Sequence, residues 1–87
     1  MTTLTKESAI QAGGNVWVKD SMERVYLNVA SINSLLVDAG YGNQTFENPS
    51  KKVKQAKTFL DVNSGELKSD VGAIRSVLNA TGFECSK

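Results

Sequence analysis

The stretch "GGNVWVKDSMERVYLN", residues 13–28, alternates apolar and polar side chains, crosses a charged turn and alternates again. A period of two on both sides of a turn predicts a β-hairpin. A four-residue loop, Asp20 to Glu23, would set Lys19 opposite Arg24, Val18 opposite Val25, Trp17 opposite Tyr26 and Val16 opposite Leu27. Val16, Val18, Val25 and Leu27 then share one face, the expected core side. Trp17, Lys19, Arg24 and Tyr26 share the other. A directly opposed aromatic pair contributes roughly 0.2–1 kcal/mol over alanines. Lys19 facing Arg24 costs stability, so that end of the face calls for solvent.

Outward from the hairpin, "TKESAIQAGG" reads as a short helix capped by Thr5 and stopped at Gly13. Asn28 or Ser31 can start a second helix. Its stripe is Ile32, Leu35, Leu36 and Ala39, and Gly40 ends it. After a loop, Asn48 and Pro49 make a cap and first-turn pair for a third helix, "PSKKVKQAKT". "TFLDVNSGELKS" predicts a second hairpin around Ser64 and Gly65, with Leu60, Val62 and Leu67 inward. Asp70 is placed to cap a last helix with the stripe Val71, Ile74, Val77 and Leu78, stopped at Gly82. The expected fold is α+β: one small domain, residues 1–87, with an antiparallel sheet of two hairpins and helices packed on one face.

Composition narrows the chemistry. Ten Lys and Arg against nine Asp and Glu give a net charge of +1, so neither an acidic mimic of DNA nor a globally basic field is on offer. Histidine is absent, which removes Ser-His-Asp and Cys-His mechanisms and the commonest metal ligand. The single cysteine, Cys85, can form neither an intrachain disulfide nor a thiolate cluster and reads as a free thiol in a reducing compartment. "MTTLTKESAI" lacks the apolar core of a signal peptide, and no segment is long and apolar enough to span a bilayer; the expected setting is a cytoplasm. Sequons at Asn43 and Asn79 then mean little.

No motif for catalysis, cofactor or metal emerges. Gly13-Gly14 and the glycines of "GYG" continue into neither a dinucleotide fingerprint nor a phosphate loop, and helix stops explain them. "DVNSGELKSD" begins like a calcium loop but holds Gly65, Glu66 and Gly72 where an oxygen ligand, glycine and glutamate are required. The acids are scattered over caps, turns and helix faces, so the chain is read as a non-enzyme. Two surfaces remain. Trp17, Lys19, Arg24 and Tyr26 have the composition of a protein-binding hot spot, unless a terminal helix folds over them and makes the rings ordinary core. Lys51, Lys52, Lys54 and Lys57 could contact phosphates together with Arg24, or simply form a solvated face. A ribbon-helix-helix reading, with residues 24–29 as the groove strand, is disfavoured because that strand already has a local partner and the lysine helix is too polar for a dimer core.

"AIQAGGNVWVKDSMERVYLN" resembles a group of small uncharacterised phage and prophage proteins with a helix ending in Gly-Gly, a tryptophan strand and an Arg-Val-Tyr-x-Asn strand. The matching positions are Gly13, Gly14, Trp17, Arg24, Val25, Tyr26 and Asn28. "FLDVNSGEL" is similar to a second strand and turn of that group at Asp61 and Gly65, with Phe59 or Leu60 in place of an aromatic pair. The resemblance covers about half the chain and carries no catalytic residue. It implies a mobile-element protein, in the cytoplasm of a host cell, that binds and inhibits or modulates host machinery in the manner of an anti-defence factor. The expectation is a non-catalytic interaction module whose partner is a host protein or complex, contacted through Trp17, Lys19, Arg24 and Tyr26. The alternative is a small nucleic-acid binder using the lysine-rich segment 49–58.

Overall fold

The computed structural model describes residues 4–87; the first three residues of the polar N-terminal stretch lie outside it. The order is α1 (Lys6–Gln11), β1 (Asn15–Lys19), β2 (Met22–Tyr26), α2 (Val29–Asp38), a single 3-10 turn (Gly42–Gln44), α3 (Lys51–Lys54), β3 (Thr58–Asp61), β4 (Glu66–Ser69), α4 (Gly72–Ala80) and β5 (Cys85–Ser86). The fold is α+β, and the five strands form one sheet in sequence order. Four strands are antiparallel, as two hairpins predict. β5 returns parallel to β4, so the sheet is mixed. A two-residue strand after the last glycine carries too little pattern to be legible in the sequence. It is held from α4: the Asn79 side chain accepts from the Cys85 N–H at 2.9 Å and donates to the Cys85 carbonyl at 2.9 Å.

The register shows why the sheet has two unlike faces. Val25, Leu60, Leu67 and Cys85 are neighbours across β2 to β5 and are all buried. Ile32, Leu35 and Leu36 of α2 and Ile74 and Leu78 of α4 complete that core. Deeper still, the buried Thr58 and Ser69 hydroxyls, opposite each other on β3 and β4, bond at 3.0 Å, so neither is left without a partner. One residue along each strand, Tyr26, Phe59, Lys68 and Ser86 point to the opposite face, and none of them is fully buried.

The first hairpin departs from expectation in one respect and keeps another. Its turn is two residues, Asp20 and Ser21, both left-handed at φ 50° and 67°. Two successive positive φ values match the right-handed strand twist, and Asp tolerates them better than most residues. Trp17 therefore opposes Arg24, and Lys19 opposes Met22. The shift is by two residues, so every side chain keeps its face, and the Lys19–Arg24 opposition vanishes. A second correction concerns Val16 and Val18. They lie on the core side but are 47% and 63% exposed, because β1 is the edge strand.

Elsewhere the first two caps are the expected ones and the later two move. α1 is capped by Thr5, and Asn28 caps α2 by accepting from the Ser31 N–H. The Gly13 and Gly14 N–H groups bond to Ile10 and Ala9 carbonyls, which leaves them no phosphate to hold. Gly13 sits at φ 100°, and a Cβ on Gly14 would lie 2.5 Å from Val25 Cγ1 and 2.7 Å from the Ala9 carbonyl oxygen, so each glycine is required for a different reason. The third helix is one turn, not three: Ser50, rather than Asn48, caps it, and the chain leaves it at Gln55. With only Val53 buried, nothing anchors a longer helix. Asp70 caps no helix; it accepts from the Lys57 N–H, and α4 begins at Gly72 with Val71 at the cap position and no side-chain cap.

Candidate functional site

Three strands build the aromatic cluster on the outer face of the sheet. The left-handed turn at Asp20 and Ser21 sets Trp17 on β1 against Arg24 on β2, and the β2–β3 register adds Phe59 beside Tyr26. The Arg24 guanidinium lies over two rings, 5.6 Å from the centroid of Trp17 and 4.6 Å from that of Phe59. Tyr26 completes the group: its ring meets Trp17 edge-on at 6.4 Å and Phe59 at 5.5 Å, and its hydroxyl accepts from Arg24 Nη1 at 3.3 Å. Trp17 remains 38% exposed. Arg24, Tyr26 and Phe59 are half-buried, chiefly under one another, and no helix among the described residues buries the Trp17 ring.

The electrostatics of this cluster are unusual for an arginine. Asp61 stands directly across from Arg24, yet its carboxylate accepts from the Asn63 and Ser64 N–H groups and fixes the β3–β4 turn. Salt bridges among the described residues run elsewhere, Lys6 to Glu23 at 2.7 Å and Lys68 to Glu66 at 3.4 Å. Arg24 Nε is buried and has no acceptor, the only such side-chain atom among the described residues. A guanidinium so placed is held by ring faces and offers its charge to whatever lies above, while the unpaired Nε is covered by its neighbours.

The structure divides the sequence-predicted residues. It brings Trp17, Arg24 and Tyr26 together. Lys19 points to the same face from the end of β1 and is exposed. Lys51, Lys52 and Lys54 are exposed on α3, whereas Lys57 lies beyond that helix. Lys57 instead joins Phe59, Lys68, Ser69, Asp70 and Lys87 around an open hollow of about 240 Å³. Phe59 and Lys68 are the residues that sequence reasoning left out of the site. Alternation in "TFLD" already turns Phe59 away from Leu60, but only the β2–β3 pairing places it beside Tyr26.

No other place concentrates chemistry. A half-open cleft of about 260 Å³ between α1, α2 and Phe83 contains a single acid, Asp38. Cys85 is buried, and burial pushes its thiol up to about 11, opposed weakly by the Arg75 charge, so at neutral pH it is a protonated core side chain. No group of His, Cys, Asp and Glu among the described residues could hold a metal ion, and no helix among them is long and apolar enough to cross a membrane. No protein-family model matches the sequence, and no curated protein and no solved structure matches it either.

Proposed function

We propose that this chain is a non-catalytic interaction module that binds a protein partner through the outer face of its sheet. The contact group is Trp17, Lys19, Arg24 and Tyr26, widened by Phe59. The observation that carries the reading is the state of Arg24: seated on two aromatic rings, without a carboxylate, and with Nε buried and unpaired. Aromatics and arginine are the side chains that dominate binding energy at protein interfaces, and a partner carboxylate above Arg24 would meet a guanidinium charge that no acid of this chain pairs. The fold needs no charge at this position, since the core lies on the opposite face. The resemblance to phage-type proteins makes a host protein the partner class, with occlusion of a host surface as the mode of inhibition or modulation.

The test is affinity capture from a host lysate. The partner is retained by the wild-type chain and lost on Trp17→Ala and on Arg24→Glu, each with an unchanged circular-dichroism spectrum. Retention by both variants removes the patch from the account.

A second reading has its own observation. Lys57, Lys68 and Lys87 surround a hollow with Phe59 in its lining, a combination that suits a stacked base and its phosphates. The short α3 offers Lys51, Lys52 and Lys54 as a separate positive turn. This reading predicts retardation of single-stranded nucleic acid that weakens steeply with salt. The net charge of +1 favours the protein partner.

A further inference from the structure

The outer face is not the only surface with unmet bonds. β1 ends the sheet, and its free side is a row of backbone groups. The two-residue turn makes Lys19 and Met22 a hydrogen-bonded pair, so Trp17 with Arg24 and Asn15 with Tyr26 are hydrogen-bonded pairs as well. β2 agrees from its other side. Leu27 N–H donates to the Thr58 carbonyl and Val62 N–H to the Glu23 carbonyl, so residues 23, 25 and 27 serve β3 and residues 22, 24 and 26 serve β1. Val16 and Val18 therefore turn their N–H and C=O groups away from β2, toward the open edge.

Edges of this kind are normally blunted by proline, a bulge or inward-pointing charge. β1 has no proline and no bulge in its pairing. The charge that stands beside Val18, Glu23, is tied to Lys6 of α1. Between Asn15 and Lys19, which are exposed at its two ends, the strand shows apolar side chains: Val16 and Val18 on one side of the ribbon, Trp17 on the other, with the 42% exposed Met22 of β2 beside it.

We propose that β1 pairs antiparallel with β1 of a second copy of this chain, about a two-fold axis through Trp17. The strand "NVWVK" is its own complement in that register alone. Val16 meets Val18 of the second copy, twice, as hydrogen-bonded pairs, so all four outward N–H and all four outward C=O groups of the two strands are matched. Trp17 meets Trp17 as a non-hydrogen-bonded pair with both rings on the outer face. Asn15 meets Lys19, which keeps the two lysines apart. Slipping the register by two residues one way sets Val18 against Gly14 and leaves its isopropyl without a counterpart. Slipping it the other way sets Val16 against Asp20 in the left-handed turn. The sheet then runs through ten strands, helices on one side and two Arg24–Trp17 groups adjoining on the other. The contact is one short strand, so association is concentration-dependent.

Sedimentation velocity without any partner tests this independently of the docking face. From about 10 µM to about 1 mM, wild-type chain shifts from its 9.4 kDa monomer to twice that mass, the range in which a contact of this size associates. Val18→Lys, at a position already 63% exposed, keeps the fold and stays monomeric throughout. Mild oxidation cross-links Trp17→Cys between copies but not Val16→Cys, because only the former has its own counterpart directly opposite. A wild-type monomer at every concentration, a dimer that Val18→Lys leaves intact, or cross-linking through position 16 overturns the proposal. So does a monomer whose Val16 and Val18 amides gain exchange protection only when a foreign protein is added, which assigns the edge to another chain's strand.

Discussion

Replacing Arg24 by methionine separates a structural arginine from a functional one. The substitution keeps an unbranched stem for Trp17 and Phe59 to pack on and removes the charge. Two ring contacts are lost, each about 0.5–1 kcal/mol at a partly exposed site. A long hydrogen bond to the Tyr26 hydroxyl, worth about 0.5–1.5 kcal/mol, goes with them. Against this, an N–H that is buried without an acceptor disappears, relieving roughly 1–3 kcal/mol of desolvation. The opposing sums nearly cancel. Arg24→Met is expected to change stability by no more than about 1 kcal/mol, a shift of about 4–8 °C in Tm at most for a chain of this size. Urea titration followed by circular dichroism measures it, and capture of the partner by the same variant should fail. A loss of about 3 kcal/mol or more would show that the guanidinium is needed by the fold, and the argument that its unpaired charge awaits a partner would collapse.

Other positions give sharper tests of the scaffold. Gly14→Ala drives a Cβ into Val25 and the Ala9 carbonyl and should cost about 1–3 kcal/mol by urea midpoint. Gly72→Ala, whose Cβ meets only Arg75 Nη2 at 3.5 Å, should instead be neutral or stabilise by up to about 1 kcal/mol. Asn79→Ala removes both side-chain bonds that hold β5, so the Cys85 amide should exchange much faster while global stability falls by about 1–2 kcal/mol. Because burial raises the Cys85 thiol, the folded state keeps its proton where the unfolded chain loses it. That contribution is complete below the ordinary thiol value of 9.0 and is lost as pH rises toward about 11, so stability should decline across that window, and Cys85→Ala should flatten the decline.

Much of the scaffold is written in local pattern. Alternation in residues 15–27 and 58–67 gives the strands and their faces, and the apolar stripes of α2 and α4 give the helices that cover one of those faces. The placement of Trp17, Arg24 and Tyr26 on a common side survives an error in loop length because the error is even. What local pattern could not carry is strand order. That Val16 and Val18 lie at an open edge, and that Phe59 lies beside Tyr26, follows only from β2 pairing with β3 across the 31 residues, 27–57, that separate them. The lysine segment misled for a related reason: helix-forming residues without a buried stripe stay helical for one turn, and Lys57 passes to the sheet instead. The fold of the parts is thus local, whereas the site is assembled by tertiary pairing.

The central claim is that the outer face of the sheet, rather than its helical layer, meets the partner. Titrating isotope-labelled chain with the captured partner and following its NMR resonances tests that directly. The account predicts that the Trp17 indole, the Arg24 guanidinium and the Tyr26 and Phe59 rings shift first and most. Shifts confined to α2, α4 and the cleft beside Phe83, with the Trp17 indole unmoved, would contradict it.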